Sequence, residues 1–121
     1  MSIDKINIAD KLSSFSDHWN PRILAGLNGQ HIKVVKMLGP FVWHHHEHED
    51  EMFLVLKGVL TMEFRGKTID VAEGEFIIVP KRVEHRPVAA REVEVLLFEP
   101  DSTRNTGNLV NERTKINLEK I

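Results

Sequence analysis

Apolar and polar residues follow two different patterns along the chain, and the first pattern ends at Pro21. Within this zone Ile8, Leu12 and Phe15 recur at the spacing of one face of an α-helix. Asn7 precedes them, and asparagine is a favoured N-cap residue. The pattern therefore predicts one short amphipathic helix, in an N-terminal arm that lies on the rest of the molecule or across a dimer interface.

From Arg22 onward the chain consists of short runs typical of β-strands, separated by glycine, proline and charged residues. The run Val59–Phe64 alternates in polarity, as a half-buried strand does. The runs Phe76–Val79 and Val93–Phe98 are apolar at nearly every position, as in strands packed between two layers. The predicted strands are Ile23–Leu27, Ile32–Leu38, Val42–His46, Glu51–Leu56, Val59–Arg65, Thr68–Val71, Glu75–Val79, His85–Ala89 and Glu92–Glu99.

Turn signals and strand number together indicate the fold class. The glycines at Lys57-Gly58 and Arg65-Gly66-Lys67 predict antiparallel hairpins between successive strands. Many short strands with almost no helix favour an all-β sandwich or closed barrel. We divide the chain into the arm, residues 1–21, a barrel, residues 22–100, and a polar tail, residues 101–121. The tail is expected to pack on the barrel or a partner, or to be partly disordered.

Composition and charge exclude several classes of protein. The length of 121 residues suits one domain, and 41% hydrophobic residues are typical of a globular protein. The absence of cysteine excludes disulfides, zinc–thiolate sites, iron–sulfur clusters and cysteine nucleophiles. A net charge of −2, without a basic stripe, argues against a nucleic-acid partner. Since no signal peptide or membrane-spanning run is evident, we expect a cytoplasmic protein with no membrane partner.

The chemistry in the sequence is concentrated in residues 43–51, which hold four of the seven histidines. In a strand, His44 and His46 point to the same face, because side chains alternate. Glu51 begins the next strand, which an antiparallel return brings alongside, and His85 follows a later apolar strand. Three imidazoles and one carboxylate suit Mn, Fe, Co, Ni, Cu or Zn better than Ca or Mg.

These residues resemble the two sequence motifs of the cupin family. The members of the first motif are Gly39, His44, His46, Glu51 and Gly58, and those of the second are Gly74, Pro80 and His85. The resemblance implies a cupin-type double-stranded β-helix, or jelly-roll barrel, commonly as a homodimer. It also implies one divalent transition metal per chain, with His44, His46, Glu51 and His85 as ligands. Apolar sheet edges, which must be covered, favour the homodimer as well.

Three features depart from the family pattern. The interval from Gly39 to His44 is one residue shorter than usual. Arg82 stands where the family often has glycine, and Ala89 where it often has asparagine. Because neither is a ligand position in the family, the expected metal ligands are unchanged. The conformation of the turn at Arg82 and a contact behind the ligands are left open.

The other histidines have plainer interpretations. His45 is expected to face away from the ion, and His48 lies in a loop, so each is interpreted as structural or solvent-facing. His18 and His31 have no evident partner in the sequence and are interpreted as ordinary residues. Either an inward-facing carboxylate or His48 could serve as a general base, and the sequence does not decide between them. The catalytic residues are therefore unassigned.

Three classes of function fit this pattern. The first is a metal-dependent isomerase, dioxygenase or lyase whose substrate is a small oxygen-rich metabolite. A sugar or a hydroxy- or keto-acid would chelate the ion at its open positions. The second is a non-catalytic barrel that binds or senses a small molecule. The third is a structural metal site in a dimeric scaffold, which predicts unfolding on chelation.

Overall fold

The structure is a computed structural model, and it describes residues 3–121. The first two residues of the predicted arm lie outside the described residues. In chain order the elements are α1 (Ile8–Leu12), β1 (Arg22–Leu27), β2 (Gln30–Pro40), β3 (Glu51–Lys57), β4 (Val59–Phe64), β5 (Lys67–Ala72), β6 (Phe76–Val79) and β7 (His85–Pro100). The fold is therefore all-β with a short N-terminal helix, as predicted. None of the helical structure in residues 3–121 is both long and apolar enough to span a bilayer.

Helix α1 is only five residues long, so it depends on its cap and on packing rather than on intrinsic stability. The Asn7 side chain accepts a hydrogen bond from the amide of Asp10 at 3.0 Å, which confirms the predicted N-cap. On the buried face, Leu12 packs in a small cluster with Leu24 and Val34. This cluster fastens the arm to the outer side of β1 and β2.

Strand β7 is the centre of the sheet. The strand order is β1-β2-β7-β3-β6, and β4 pairs with both β5 and β7. Sequence analysis predicted two strands here, His85–Ala89 and Glu92–Glu99, but the structure has one strand of 16 residues. Its first part pairs with β4 and its last part with β3. The predicted break, residues 90–91, lies within the exposed residues 90–92, where β7 changes partner from β4 to β3.

The two predicted hairpins have different outcomes. The turn at Gly66 is confirmed, because Phe64 pairs with Lys67 across a two-residue connection. The hairpin at Gly58 is wrong, because β3 and β4 do not pair with each other and both pair with β7. Gly58 has φ +92, and a Cβ there would lie 3.1 Å from the carbonyl oxygen of Glu92. This glycine permits close passage over β7 rather than a hairpin turn.

The predicted strand Val42–His46 is also wrong. In this segment only His44 forms a bridge, an isolated antiparallel one to His85. The alternation of a strand nevertheless survives locally, since His44 and His46 are buried and His45 is half-buried. The other predicted strands are present with small shifts at their ends.

The core fills the interior between the inward-facing sides of β2, β3, β4 and β7. Its buried members include Val35, Met37, Phe53, Val55, Leu60, Met62, Ala89, Val93, Val95 and Leu97. One end of this interior differs from the rest, because its buried residues are histidine, glutamate and lysine.

The C-terminal tail packs on its own chain. The amide of Ile23 donates to the carbonyl of Glu119 at 2.9 Å, and the amide of Ile121 donates to the carbonyl of Ile23 at 3.0 Å. These bonds cover part of the free edge of β1, which would otherwise expose unpaired backbone groups.

Candidate metal centre

Three of the predicted ligands meet at the polar end of the interior. His44, His46 and His85 each offer one ring nitrogen, and these nitrogens all lie within 4.8 Å of one another. The side chains are 3%, 3% and 0% exposed, respectively. Such a buried group of imidazoles can hold a transition metal ion.

Backbone hydrogen bonds hold His44 against the first residue of β7. The amide of His44 donates to the carbonyl of His85 at 3.0 Å, and the amide of His85 donates to the carbonyl of His44 at 2.9 Å. The amide of Arg82 donates to the carbonyl of His46 at 2.7 Å. The irregular segment that carries two of the candidate ligands is thus fixed by its neighbours rather than by a sheet of its own.

Backbone carbonyls orient two of the rings. The Nδ1 of His44 lies 2.9 Å from the carbonyl oxygen of Val42, and the Nδ1 of His85 lies 2.9 Å from that of Val83. Each Nδ1 therefore carries the proton and donates it to the carbonyl, which leaves the Nε2 lone pair free for an ion.

Burial keeps the rings neutral. It lowers the pKa of His44 to about 3, with a further contribution from the nearby His85 ring. Burial also lowers the pKa of His85 to about 4 and lowers the pKa of His46. Since only a neutral imidazole can bind a metal ion, all three rings are in the ligand form near pH 7.

Glu51, the first residue of β3, is buried next to the histidines. Its Oε1 lies 3.1 Å from the Nε2 of His46 and 3.9 Å from the Nε2 of His85. None of these three atoms has a hydrogen-bond partner within residues 3–121, although all are buried. Two ligand atoms that each lie about 2.1 Å from one ion are separated by roughly 3.0 to 4.2 Å, depending on the angle between the bonds, and both distances fall in this range. Buried polar atoms without hydrogen-bond partners at such spacing fit an ion between them, because buried polar atoms need partners.

Sequence analysis missed Lys33 and Glu99, which lie beside Glu51. Lys33 Nζ donates to Glu99 Oε1 at 2.8 Å, and both side chains are buried. Met52 on β3 pairs with Phe98 on the antiparallel β7. Glu51 precedes Met52 and Glu99 follows Phe98, so the two glutamates are cross-strand neighbours. Burial raises the pKa of both carboxyls. The neighbouring Glu51 raises the pKa of Glu99 further, and Lys33 opposes these shifts.

A signal for these two residues is present in the sequence. Lys33 lies two residues from the buried Val35 on β2, and Glu99 lies two residues from the buried Leu97 on β7. Because residues two apart share a strand face, each belongs to the inward face of its strand. A charged residue that shares a strand face with apolar residues is thus the signal that marks both positions.

Two cavities border the histidines. The inner one has a volume of about 30 Å³ and is lined by Lys33, His44, Glu51, Glu99 and Asn105 together with apolar side chains. This volume admits one or two water-sized groups. The outer one has a volume of about 350 Å³ and is lined by residues that include His46, His48 and Arg104.

The histidines outside the cluster take other roles. His45 faces away, with its Nε2 3.2 Å from Glu47 Oε2, and His48 is exposed, as expected for both. His18 was interpreted as unpartnered, but its Nε2 lies 2.7 Å from Glu92 Oε2. That contact joins the arm to β7 over a long sequence separation, which no local pattern reveals. His31 is half-buried on β2.

The departures from the family motif now have a structural meaning. Arg82 has φ +70, the left-handed conformation that glycine adopts at little cost. Arginine is therefore accommodated with the backbone shape of a glycine. Ala89 is fully buried in the core and lies opposite Gly39 on β2, where a small apolar side chain fits.

Comparison with known proteins agrees with this architecture. Residues 35–99 match the model of the family described as Cupin domain. A cupin-2 domain containing protein from Shewanella frigidimarina is 44% identical and has a TM-score of 0.78, and the alignment covers 78% of this chain and 93% of that one. Protein NMB1881 from Neisseria meningitidis is 30% identical with a TM-score of 0.75, covering 81% and 100%.

A curated relative is matched over a shorter stretch. The uncharacterized protein YdbB of Bacillus subtilis is 31% identical over 64 residues, which are 52% of this chain and 57% of YdbB. The chain thus spans just over half the length of this relative.

Proposed function

The chain belongs to the cupin domain family, and from this premise we propose that it binds one divalent transition metal ion per chain through His44, His46, His85 and Glu51. The observation that carries the proposal is the convergence of buried atoms without partners, the Nε2 of His46 and His85 and the Oε1 of Glu51, within the histidine cluster. Mn, Fe, Co, Ni, Cu and Zn all suit this ligand set.

Four protein ligands leave two positions open on a six-coordinate ion, so we propose an enzyme that acts on a small oxygen-rich metabolite. A bound ion would supply Lewis-acid polarisation of a carbonyl oxygen. The chain contributes carbonyls that orient the rings of His44 and His85, and apolar side chains that line most of the cavity. A sugar or a hydroxy- or keto-acid would chelate through two adjacent oxygens, and isomerase, dioxygenase or lyase chemistry is consistent with such binding.

The size of the inner cavity favours a second candidate. A volume of about 30 Å³ holds only one or two water-sized groups. A structural ion that holds the histidine segment against β7 needs no more space than this. The third candidate is a non-catalytic barrel, in which a small molecule would bind in the cavity and would not be converted to a product.

Elemental analysis of untagged protein tests the metal site. We expect about one transition metal ion per chain in the parent and none in the double variant His46→Ala/His85→Ala, because two of four ligands are lost. The matched control is His45→Ala/His48→Ala, which removes two histidines of the same segment and should keep the ion. Absence of metal in the parent, even after incubation with each ion near pH 7, would contradict the proposal.

Chelation then separates the candidates. If the metal-free protein keeps its near-ultraviolet circular dichroism, the ion serves binding or catalysis. If it unfolds, the ion is structural. The identity of the bound metal selects the assay, with dioxygen uptake for iron and isomerase or lyase screens for the others.

We also propose a homodimer. Phe76 and Ile78 are 61% and 54% exposed on β6, which ends the strand order of the sheet. Edge strands with apolar side chains are commonly covered by a partner. Light scattering at several concentrations tests this state, and a monomer at all of them would contradict it. The cytoplasmic location stays a prediction.

A further inference from the structure

The tail loop, residues 104–109, lies directly against the histidine segment. We infer that this loop is a working part of the metal centre and positions His44 and His46 by holding the backbone of His45 between them. The inference rests on the proposed metal site. It concerns residues beyond 99, where the match to the family ends.

Asn108 forms hydrogen bonds with both backbone polar groups of His45. The amide of His45 donates to Asn108 Oδ1 at 2.9 Å, and the amide of Asn108 donates to the carbonyl of His45 at 2.9 Å. These bonds complete the backbone pairing of a segment that lacks a sheet. His44 is bonded through its backbone to His85, and His45 is bonded through its backbone to Asn108.

Gly107 is the point of closest approach. It has φ +55, and a Cβ built on it would overlap the carbonyl oxygen of His45 and lie 3.0 Å from Cδ2 of the His44 ring. The loop backbone therefore packs on a ligand imidazole at a distance that only glycine permits.

The loop is held rigidly enough to act as a support. The Arg104 guanidinium donates to the carbonyl of Gly107 from Nε at 2.9 Å and from Nη2 at 2.6 Å. Thr106 is fully buried, and its hydroxyl bonds to the carbonyl of Leu109 at 2.8 Å and the hydroxyl of Thr114 at 2.7 Å. If the contact with this loop is removed, the distance between the His44 and His46 rings is no longer fixed.

The loop also stands between the two cavities. Asn105 lines the inner cavity beside His44 and Glu51, whereas Arg104, Gly107 and Asn108 line the outer one. The loop thus contacts the histidine segment and also lines both cavities.

The test is Co²⁺ binding to the full chain, followed by the visible absorption bands that report coordination geometry. Asn108→Ala removes the acceptor for the His45 amide and should weaken Co²⁺ binding about tenfold or more, as for other groups that orient metal ligands. Its bands should shift, whereas Asn108→Asp, which keeps an Oδ1 acceptor, should restore both. Asn111→Ala is the matched control, because Asn111 Oδ1 bonds only to the Arg113 amide within the tail.

Gly107→Ala provides a second, independent disturbance, and Gly66→Ala is its control. Both glycines have positive φ, but a Cβ at Gly66 meets nothing within 4 Å. We expect altered Co²⁺ bands only for the change at Gly107. Unchanged affinity and bands in Asn108→Ala and Gly107→Ala would overturn the inference, as would loss of the fold of both metal-free variants. Failure of the parent to bind Co²⁺ would instead overturn the proposed function.

Discussion

The two sides of the candidate metal centre are built in different ways. The histidine side consists of His44, His46 and His85, whose rings are neutral and come from an irregular segment and a strand end. The carboxylate side consists of Lys33, Glu51 and Glu99, which are ionisable and come from three neighbouring strands. Strand register alone places the carboxylate side. The histidine side needs carbonyls, backbone bridges and the tail loop.

The difference shows where each side carries its energetic cost. Burying Lys33 and Glu99 costs several kcal/mol per ion in desolvation, which their 2.8 Å contact offsets. The histidines avoid this cost by staying neutral, but they require fixed orientations. Changes to the carboxylate side should therefore affect stability most, and changes near the histidine side should have smaller effects on stability.

The largest effect is expected from splitting the buried ion pair. Glu99→Ala removes the carboxyl group that is hydrogen-bonded to the buried Lys33 and should lower the free energy of unfolding by about 3–5 kcal/mol. Replacing both partners, as Lys33→Met/Glu99→Leu, should be near neutral or stabilising, because apolar side chains fill the space. Urea unfolding of the metal-free protein measures both.

The control uses the same two strands. Lys36 Nζ and Glu94 Oε2 form a partly exposed pair at 4.0 Å on β2 and β7. Glu94→Ala should cost less than about 1 kcal/mol. If it costs as much as Glu99→Ala, burial is not the reason for the effect.

An intermediate effect is expected from pH, with opposite signs on the two sides. Burial holds the pKa of His44 near 3 and of His85 near 4, below the usual 6.5, so the unfolded state binds more protons below pH 6.5. Each imidazole then removes about 1.4 kcal/mol of stability per pH unit as the pH falls from 6.5 toward these values. The raised pKa of Glu51 and Glu99 acts oppositely, since the folded state then binds protons more readily.

Chelator-treated protein, unfolded in urea at pH 7, 6 and 5, separates these contributions. The variant His44→Asn/His85→Asn should show a smaller decline in stability toward pH 5, because His46 remains as the one buried imidazole of the cluster with a lowered pKa. The variant Lys33→Met/Glu99→Leu should show a steeper decline than the parent. Equal slopes in all three proteins would contradict the assignment of the pH dependence to these groups.

The smallest effect is expected at Arg82, whose amide supports His46. Its φ of +70 costs a non-glycine residue about 1–2 kcal/mol. Glycine avoids this steric cost, but part of the gain is lost because glycine loses more conformational entropy on folding. Arg82→Gly should therefore stabilise the protein by about 0.5–1 kcal/mol in thermal unfolding. Glycine at the neighbouring Lys81 should not stabilise, and stabilisation by both changes would remove the conformational explanation.

Much of the fold was predictable because it depends on local pattern. Alternation and apolar runs gave most strands, and Asn7 with its helical spacing gave α1. The hairpin at Gly58 and the strand Val42–His46 were wrong, since both depend on β7, which is distant in sequence. The site shows the same division, because the histidine motif is local whereas Lys33 and Glu99 meet only through strand pairing.

The sequence by itself determined the residue types of the candidate site, the family motifs and the faces on which His44 and His46 lie. These follow from residue chemistry and from the two-residue period of extended chain. Only the tertiary structure decided that Lys33 and Glu99 stand beside Glu51, and that Asn108 supports His45. Such contacts join segments far apart in the chain, and their distances are set by packing and register, which no local pattern encodes.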